Sequence, residues 1–233
     1  FSAEQQKRKS CLIYFCCLFL LMLCLLRGSH QTCPPMCLCI SDTVSCSASG
    51  LARPPRSLPF FSVTLDLSYN HLSWLGSDGF SMMPRLENLW MARNQIRTLR
   101  HGAFGNISGL RLLDLSSNQL HVVEQHYFQG LWRLEELRLF NNKITQLEAN
   151  HSHPFLAMLD LSSNRMTRPP WEDVKALPRL VQRGLYLHNN SLVCDCSINK
   201  KGNRMFLSKL SAVYPEQKEQ SAVPILLFCL ASR

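Results

Sequence analysis

In the middle of the chain, apolar residues alternate in short bursts and then fall out of step. The string L-x-L-x-x-N-x-(L/I/M) occurs at Leu65–Leu72, Leu89–Ile96, Leu113–Leu120, Leu137–Ile144, Leu159–Met166 and Leu185–Leu192, with Met91 at the third position of the second copy. Two leucines separated by one residue share a face of an extended segment, so each burst predicts a short strand with one face inward. The asparagines that follow, Asn70, Asn94, Asn118, Asn142, Asn164 and Asn190, lie 24, 24, 24, 22 and 26 residues apart. Between the bursts a second apolar set recurs, as in Leu75, Phe80 and Leu86, in Leu99, Phe104 and Leu110, and in Val123, Phe128 and Leu134. It predicts the filling of a core behind the strands.

A period near 24 residues held over six copies is that of a leucine-rich repeat. The predicted fold is an α/β repeat solenoid, a leucine-rich-repeat horseshoe whose strands, one per turn, stack into a parallel concave sheet. The repeats occupy residues 61–192. Each Asn is expected where the chain turns inward. Its amide carries two donors and an acceptor, enough to satisfy backbone groups that would otherwise be buried unpaired in every turn.

Such a solenoid has two raw ends that expose leucines and an unpaired strand edge, so it needs caps. Seven cysteines stand where caps would be. Cys33, Cys37, Cys39 and Cys46 precede the repeats, within a predicted N-terminal cap over residues 30–60, while Cys194, Cys196 and Cys229 follow them in residues 193–233. Four thiolates could hold zinc. Residues 1–29, however, have the layout of a secretory signal, with Lys7, Arg8 and Lys9 ahead of the apolar run Cys11–Leu26. That run of 16 residues is shorter than the ~20 a membrane-spanning helix needs. Behind a secretory signal, disulfides are expected rather than zinc.

Composition then sharpens this picture in two ways. Hydrophobic residues make up 46% of the 233, too many for a disordered chain. The formal charge of +9 falls to +6 once the signal, with its four basic and one acidic residue, is set aside. The remaining basic residues are scattered along the sequence without the stripe expected of a nucleic-acid binder, so no nucleic acid is expected. A glycosaminoglycan or another acidic cell-surface partner remains compatible.

The cap CPPMCLCISDTVSC, the repeats LDLSYN, LDLSSN and LFNN, and the closing GLYLHNNSLVCDC resemble the amphoterin-induced protein family of neuronal leucine-rich-repeat adhesion proteins, over roughly Cys33 to Cys196. The resemblance implies a signal peptide, capped repeats, one immunoglobulin domain, a single membrane-spanning helix and a short cytoplasmic tail. It implies a cell-surface protein that promotes neurite outgrowth and adhesion by binding itself or its relatives, so that the partner is a protein and a homodimer is expected. It also implies the pairs Cys33–Cys39 and Cys37–Cys46. Two departures stand out. The family usually has one more repeat, and the 22-residue step through HSHPFLAM is where a turn is missing. The family's C-terminal cap supplies two further cysteines, one each for Cys194 and Cys196, whereas here only Cys229 follows. Whether it pairs with Cys194 or Cys196 is open, and the cap is expected to be incomplete. The nine apolar residues Val223–Ala231 are too few to cross a bilayer. The chain as given is therefore expected to be truncated or to end in sequence unlike the family's, and to be secreted.

Positions between the inward leucines, such as Asp66, Ser68 and Tyr69 or Asp160, Ser162 and Ser163, are expected to point out of the concave sheet. On a face otherwise rich in Ser and Asp, the aromatics Tyr69, Trp90, Phe140 and Tyr186, with Arg93, Arg138 and His188, are the candidate partner-binding residues. The sequons at Asn106, Asn150 and Asn189 are candidate glycosylation sites. His151 and His153 lack a third ligand, no Gly-rich phosphate loop occurs, and Asp114 and Ser116 alternate on an open sheet without a pocket, so no metal, cofactor or catalytic site is expected. The alternative function is a soluble secreted ligand-binding or decoy module.

Overall fold

A computed structural model describes residues 33–77, 79–80, 82–148, 155–168 and 184–193, all within one compact unit that starts at Cys33. The segment read as a secretory signal, Asn150, His151 and His153, and Cys194, Cys196 and Cys229 lie outside these residues.

Among the described residues twelve short strands follow one another: β1 (Leu38–Ile40), β2 (Thr43–Ser45), β3 (Thr64–Asp66), β4 (Trp74–Leu75), β5 (Asn88–Trp90), β6 (Thr98–Leu99), β7 (Leu112–Asp114), β8 (Val122–Val123), β9 (Glu136–Arg138), β10 (Gln146–Leu147), β11 (Met158–Asp160) and β12 (Gly184–Tyr186). Eight of them form one sheet in the order β1-β2-β3-β5-β7-β9-β11-β12, parallel from β2 onward, which is the concave sheet the repeat predicts. The pairs β4·β6 and β8·β10 make two small parallel sheets on another side of the turn. The 22-residue step between Asn142 and Asn164 closes in a single turn, because β9 pairs directly with β11. The rest of each described turn is not helical. Its backbone runs through successive tight turns, such as Met83 N–H to Phe80 O, Leu86 N–H to Met83 O and Ile107 N–H to Phe104 O. Roughly a dozen residues must cross the outer side between buried anchors, and repeated three-residue closures keep Phe80, Met83 and Leu86 all inward.

The predicted core residues are buried. Leu65, Leu89 and Leu113 are wholly so, and Leu75, Phe80 and Leu86 are at most 2% exposed. Phe80, Phe104 and Phe128 stack one turn above another, with ring centroids 6.1 and 6.4 Å apart, forming a spine behind the sheet. Side chains of this size contribute ~1.5–3 kcal/mol each on full burial. The period of the sequence thereby becomes a continuous column of like residues.

The loss of step between the leucines and the asparagine has a backbone cause. Leu65, Leu67, Leu89 and Met91 point inward by strand alternation, which would carry Asn70 and Asn94 outward. Instead the residue before each Asn takes a left-handed conformation: Tyr69, Arg93, Ser117, Asn141, Ser163 and Asn189 have φ between 52° and 58°. The kink turns the next residue into the core. A non-glycine residue in this region costs ~1–2 kcal/mol. Hydrogen bonds of the inward Asn offset that cost. The Asn118 amide nitrogen donates to Met91 O (2.9 Å), Leu115 O (3.0 Å) and Ser116 O (3.2 Å), and its oxygen accepts from Ile96 N–H (3.0 Å). Each Asn thus ties its own turn to the preceding one, and the ladder runs from Asn70 through Asn94, Asn142 and Asn164 to Asn190.

The N-terminal end is closed by the hairpin β1–β2. Val44 and Cys46 occupy the two inward leucine positions, Ala48 has the left-handed φ of 53°, and Ser49 stands where later turns have Asn. Ser49 N–H donates to Asn70 Oδ1 (3.1 Å), so the cap begins the ladder. Disulfides join Cys33 to Cys39 and Cys37 to Cys46, the pairing the resemblance implied.

Tyr127 is buried in the outer half and its phenol donates to Glu124 Oε1 (3.1 Å). Burial first, and then the Glu124 carboxylate, push its pKa up from 10.0 to about 12. Because the folded value is the higher one, the neutral phenol contributes stability that is complete below pH 10 and lost as pH rises through about 12. Ultraviolet titration of the native chain is expected to show one tyrosine ionising near pH 12, and Tyr127→Phe to remove it. For the ladder, Asn118→Ala is expected to lower the unfolding free energy by about 2 kcal/mol in urea titration, because it leaves Ile96 N–H buried without its acceptor. Asn141→Ala, at the exposed left-handed position of the next turn, is expected to cost about 1 kcal/mol or less.

Candidate functional site

The concave sheet presents side chains in rows that run across the strands. Strand register fixes the central row as Leu38, Ser45, Asp66, Trp90, Asp114, Arg138, Asp160 and Tyr186, one residue per turn at the ~4.8 Å strand spacing. From Asp66 onward, carboxylates alternate with large side chains. The carboxylates have a local task. Asp66, Asp114 and Asp160 each accept, through Oδ1, the backbone N–H two residues on, from Ser68 (2.8 Å), Ser116 (2.8 Å) and Ser162 (2.9 Å). They brace the end of the strand before the left-handed kink, as Asx-type bonds do. Trp90, Arg138 and Tyr186 replace that Asp and leave its turn without the brace, in exchange for a large side chain on the open face.

This geometry corrects part of the outward set read from the sequence. Ser68 and Ser162 are 7% and 0% exposed and do not reach the concave surface. The Ser68 N–H donates to Asp66 Oδ1, and the Ser162 hydroxyl itself donates to Asp160 Oδ1. In the same row, Phe140 and His188 stand where their neighbouring turns have Ser, and Phe140 is 38% exposed.

The remaining candidates fall into two groups. At the N-terminal end, Tyr69 and Arg93 occupy consecutive left-handed positions, and the Arg93 guanidinium lies 5.2 Å from the Tyr69 ring centroid. Tyr69 is 56% exposed, and Trp90, half-buried, follows in the next turn. Further along, Arg138, Phe140, Tyr186 and His188 lie on β9, β12 and the residues after them. Arg138 donates from Nη2 to Glu136 Oε2 (3.1 Å), while its Nε and the Nδ1 of His188 are buried without a hydrogen-bond partner. Tyr69 and Tyr186 are five turns apart, ~24 Å at the strand spacing. The aromatics therefore share a face without forming one cluster.

Sequence reading missed a further row, one residue ahead of each inward leucine: Thr64, Asn88, Leu112, Glu136 and Met158, all half-buried. Strand alternation was the available signal, since position i−1 of an inward residue faces outward as surely as i+1. It also missed Leu38 and Ile40. Antiparallel pairing of β1 puts Leu38 opposite Ser45 and Ile40 opposite Thr43, so both extend the concave rows, and each is 63% exposed.

Comparison with known proteins fits this architecture. The family described as "Leucine rich repeat" matches residues 63–120 and 108–166. Amphoterin-induced protein 3 of Rattus norvegicus is 34% identical over 83% of this chain and 44% of its own length, and amphoterin-induced protein 1 of Homo sapiens is 34% identical over 87% of the chain and 46% of its own. The chain belongs to the amphoterin-induced protein family. It spans about half the length of these relatives. Leucine-rich repeats and immunoglobulin-like domains protein 1 of Homo sapiens is 32% identical over 72% of the chain and 18% of its own length. Among solved structures, the crystal structure of a TLR13–ssRNA13 complex superposes with a TM-score of 0.58 at 23% identity, over 68% of this chain and 23% of that one, and shares the fold.

The two described sequons of this chain take different places. Asn106 is exposed in the outer half of its turn, followed by buried Ile107 and exposed Ser108. Asn189 is exposed at the left-handed position beside Tyr186 and His188, and its amide donates to Ser163 Oγ (3.4 Å). No group of three or more His, Cys, Asp or Glu side chains gathers among the described residues. Asn106 is proposed to carry an N-glycan: the chain secreted from mammalian cells should gain mobility on amidase deglycosylation, and Asn106→Gln should remove one step of that shift without lowering secretion.

Proposed function

We propose that the chain is the recognition segment of a cell-surface adhesion protein that binds a protein partner through its concave face. The partner is a second copy of the chain or a relative of the same family, and the setting is neurite outgrowth and neuronal cell adhesion, as for a single-pass membrane protein with its repeats outside the cell. The observation that carries this reading is the exchange of a bracing Asp for Trp90, Arg138 and Tyr186 on the open sheet. In Asp66, Asp114 and Asp160 the same position supports the chain's own backbone. Where it holds Trp, Arg or Tyr, that local bond is given up for the residue types that dominate protein interfaces. Phe140 and the Tyr69–Arg93 pair add exposed area of the same kind. The face binds rather than reacts: Asp66, Asp114 and Asp160 are committed to backbone N–H groups, Glu136 pairs with Arg138, and the surface is an open sheet. Among the described residues no helix is long and apolar enough to cross a membrane.

Light scattering of the purified chain at micromolar concentration tests the reading. The wild type is expected at twice the monomer mass. Trp90→Asp combined with Phe140→Asp should be secreted and folded but monomeric, because truncating a central aromatic anchor costs about 2 kcal/mol or more, ~30-fold in affinity. An unchanged dimer in the double variant overturns the concave-face reading. A wild-type monomer that nevertheless captures a full-length relative supports instead a secreted decoy that uses the same face.

A further inference from the structure

The fold gathers positive charge that is dispersed in the sequence. Residues 43–113 contain seven arginines and no lysine against three carboxylates, Asp66, Asp78 and Glu87. Asp66 braces its own strand and Glu87 pairs with Arg111 (3.5 Å). Asp78 lies outside the described residues. Two of the arginines meet on one side chain and a third lies nearby. The guanidinium carbons of Arg53, from the N-terminal cap, and Arg100, from the second turn, lie 5.6 and 4.4 Å from the centroid of the Trp74 ring, and Arg53, Arg56 and Trp74 line a cleft of about 320 Å³. Pro54, Pro55 and Met82 supply its apolar wall. All three arginines are exposed, and among the described residues none has a carboxylate within 4.0 Å. Trp74 belongs to β4, in a small sheet separate from the concave one.

We propose that the Trp74 cleft binds a sulfated glycosaminoglycan. Cation–π contact brings two guanidiniums to one indole, a concentration of like charge that an anion would relieve. Guanidinium is the cation whose fork of donors matches the oxygens of a sulfate group, and the arginines come from two separate elements, as a linear chain with repeated sulfates requires. Nucleic acid fits less well. Single strands use an open aromatic face for base stacking, and here guanidiniums lie over the ring. The disulfide-bonded cap beside the cleft belongs to an oxidising, extracellular setting, where sulfated glycans are the abundant polyanions. The site is independent of the concave face and stands whether or not the chain dimerises.

Titration calorimetry with a heparin hexasaccharide, together with sodium chloride elution from immobilised heparin, tests the proposal. Arg53→Ala with Arg100→Ala should weaken binding at least tenfold and shift elution to lower salt. Arg133→Ala with Arg165→Ala, which removes two exposed charges from later turns, should change affinity less than twofold. Arg53→Lys with Arg100→Lys keeps the charge and the fold and should weaken binding severalfold; it decides the matter if the alanine pair is poorly secreted. Equal losses in the two alanine pairs, unchanged affinity in the lysine pair, or no binding by the wild type would overturn the site. Equal competition by fully desulfated heparin, by a single-stranded oligonucleotide or by polyglutamate of matched charge would overturn the glycan.

Discussion

A solenoid of short strands must bend its backbone inward once per turn, and at each bend polar groups enter an apolar core. The asparagine amide resolves that conflict in every described turn, with its nitrogen on the carbonyls of two successive turns and its oxygen on an N–H of the preceding one. These bonds depend on the left-handed residue just before each Asn, and the left-handed residue would be too costly without them. Strand, kink and amide therefore form one cooperative unit. Its repetition sets the sheet register, the leucine columns and the phenylalanine spine, because each Asn bonds both its own turn and the preceding one.

The candidate site follows from this unit. A kink that sends the Asn inward places the preceding side chain on the lip of the concave sheet, which is how Tyr69 and Arg93 come to stack in consecutive turns. It also creates a strand end that needs bracing. Three turns use Asp for this purpose and three place Trp, Arg or Tyr at the same position. The face thus divides, position by position, between stabilising the chain and presenting side chains to a partner. On the outer side, Trp74 and Arg100 meet because β4 and β6 are also held one turn apart.

Much of this could be read from the residues. The leucine and asparagine spacing predicted the parallel sheet and the inward amides, and the cap motif implied the pairs Cys33–Cys39 and Cys37–Cys46. Reading failed where neighbours along the chain are not neighbours in space. Ser68 and Ser162 looked outward by alternation but are buried once the turns stack. Leu38 and Ile40 were not singled out, because only antiparallel pairing turns them onto the concave face. Arg53, Arg56 and Arg100 looked dispersed.

The sequence by itself determined the period, and with it the fold class, the core columns and the asparagine ladder. Those features depend on local spacing and on one rule repeated in every turn. The tertiary structure decided what each exposed position does: which Asp braces a backbone, which aromatic faces out from the sheet, and which arginines share a tryptophan. Apart from the local Asp brace, such roles depend on contacts between successive turns, and those contacts exist only once the turns have stacked in register.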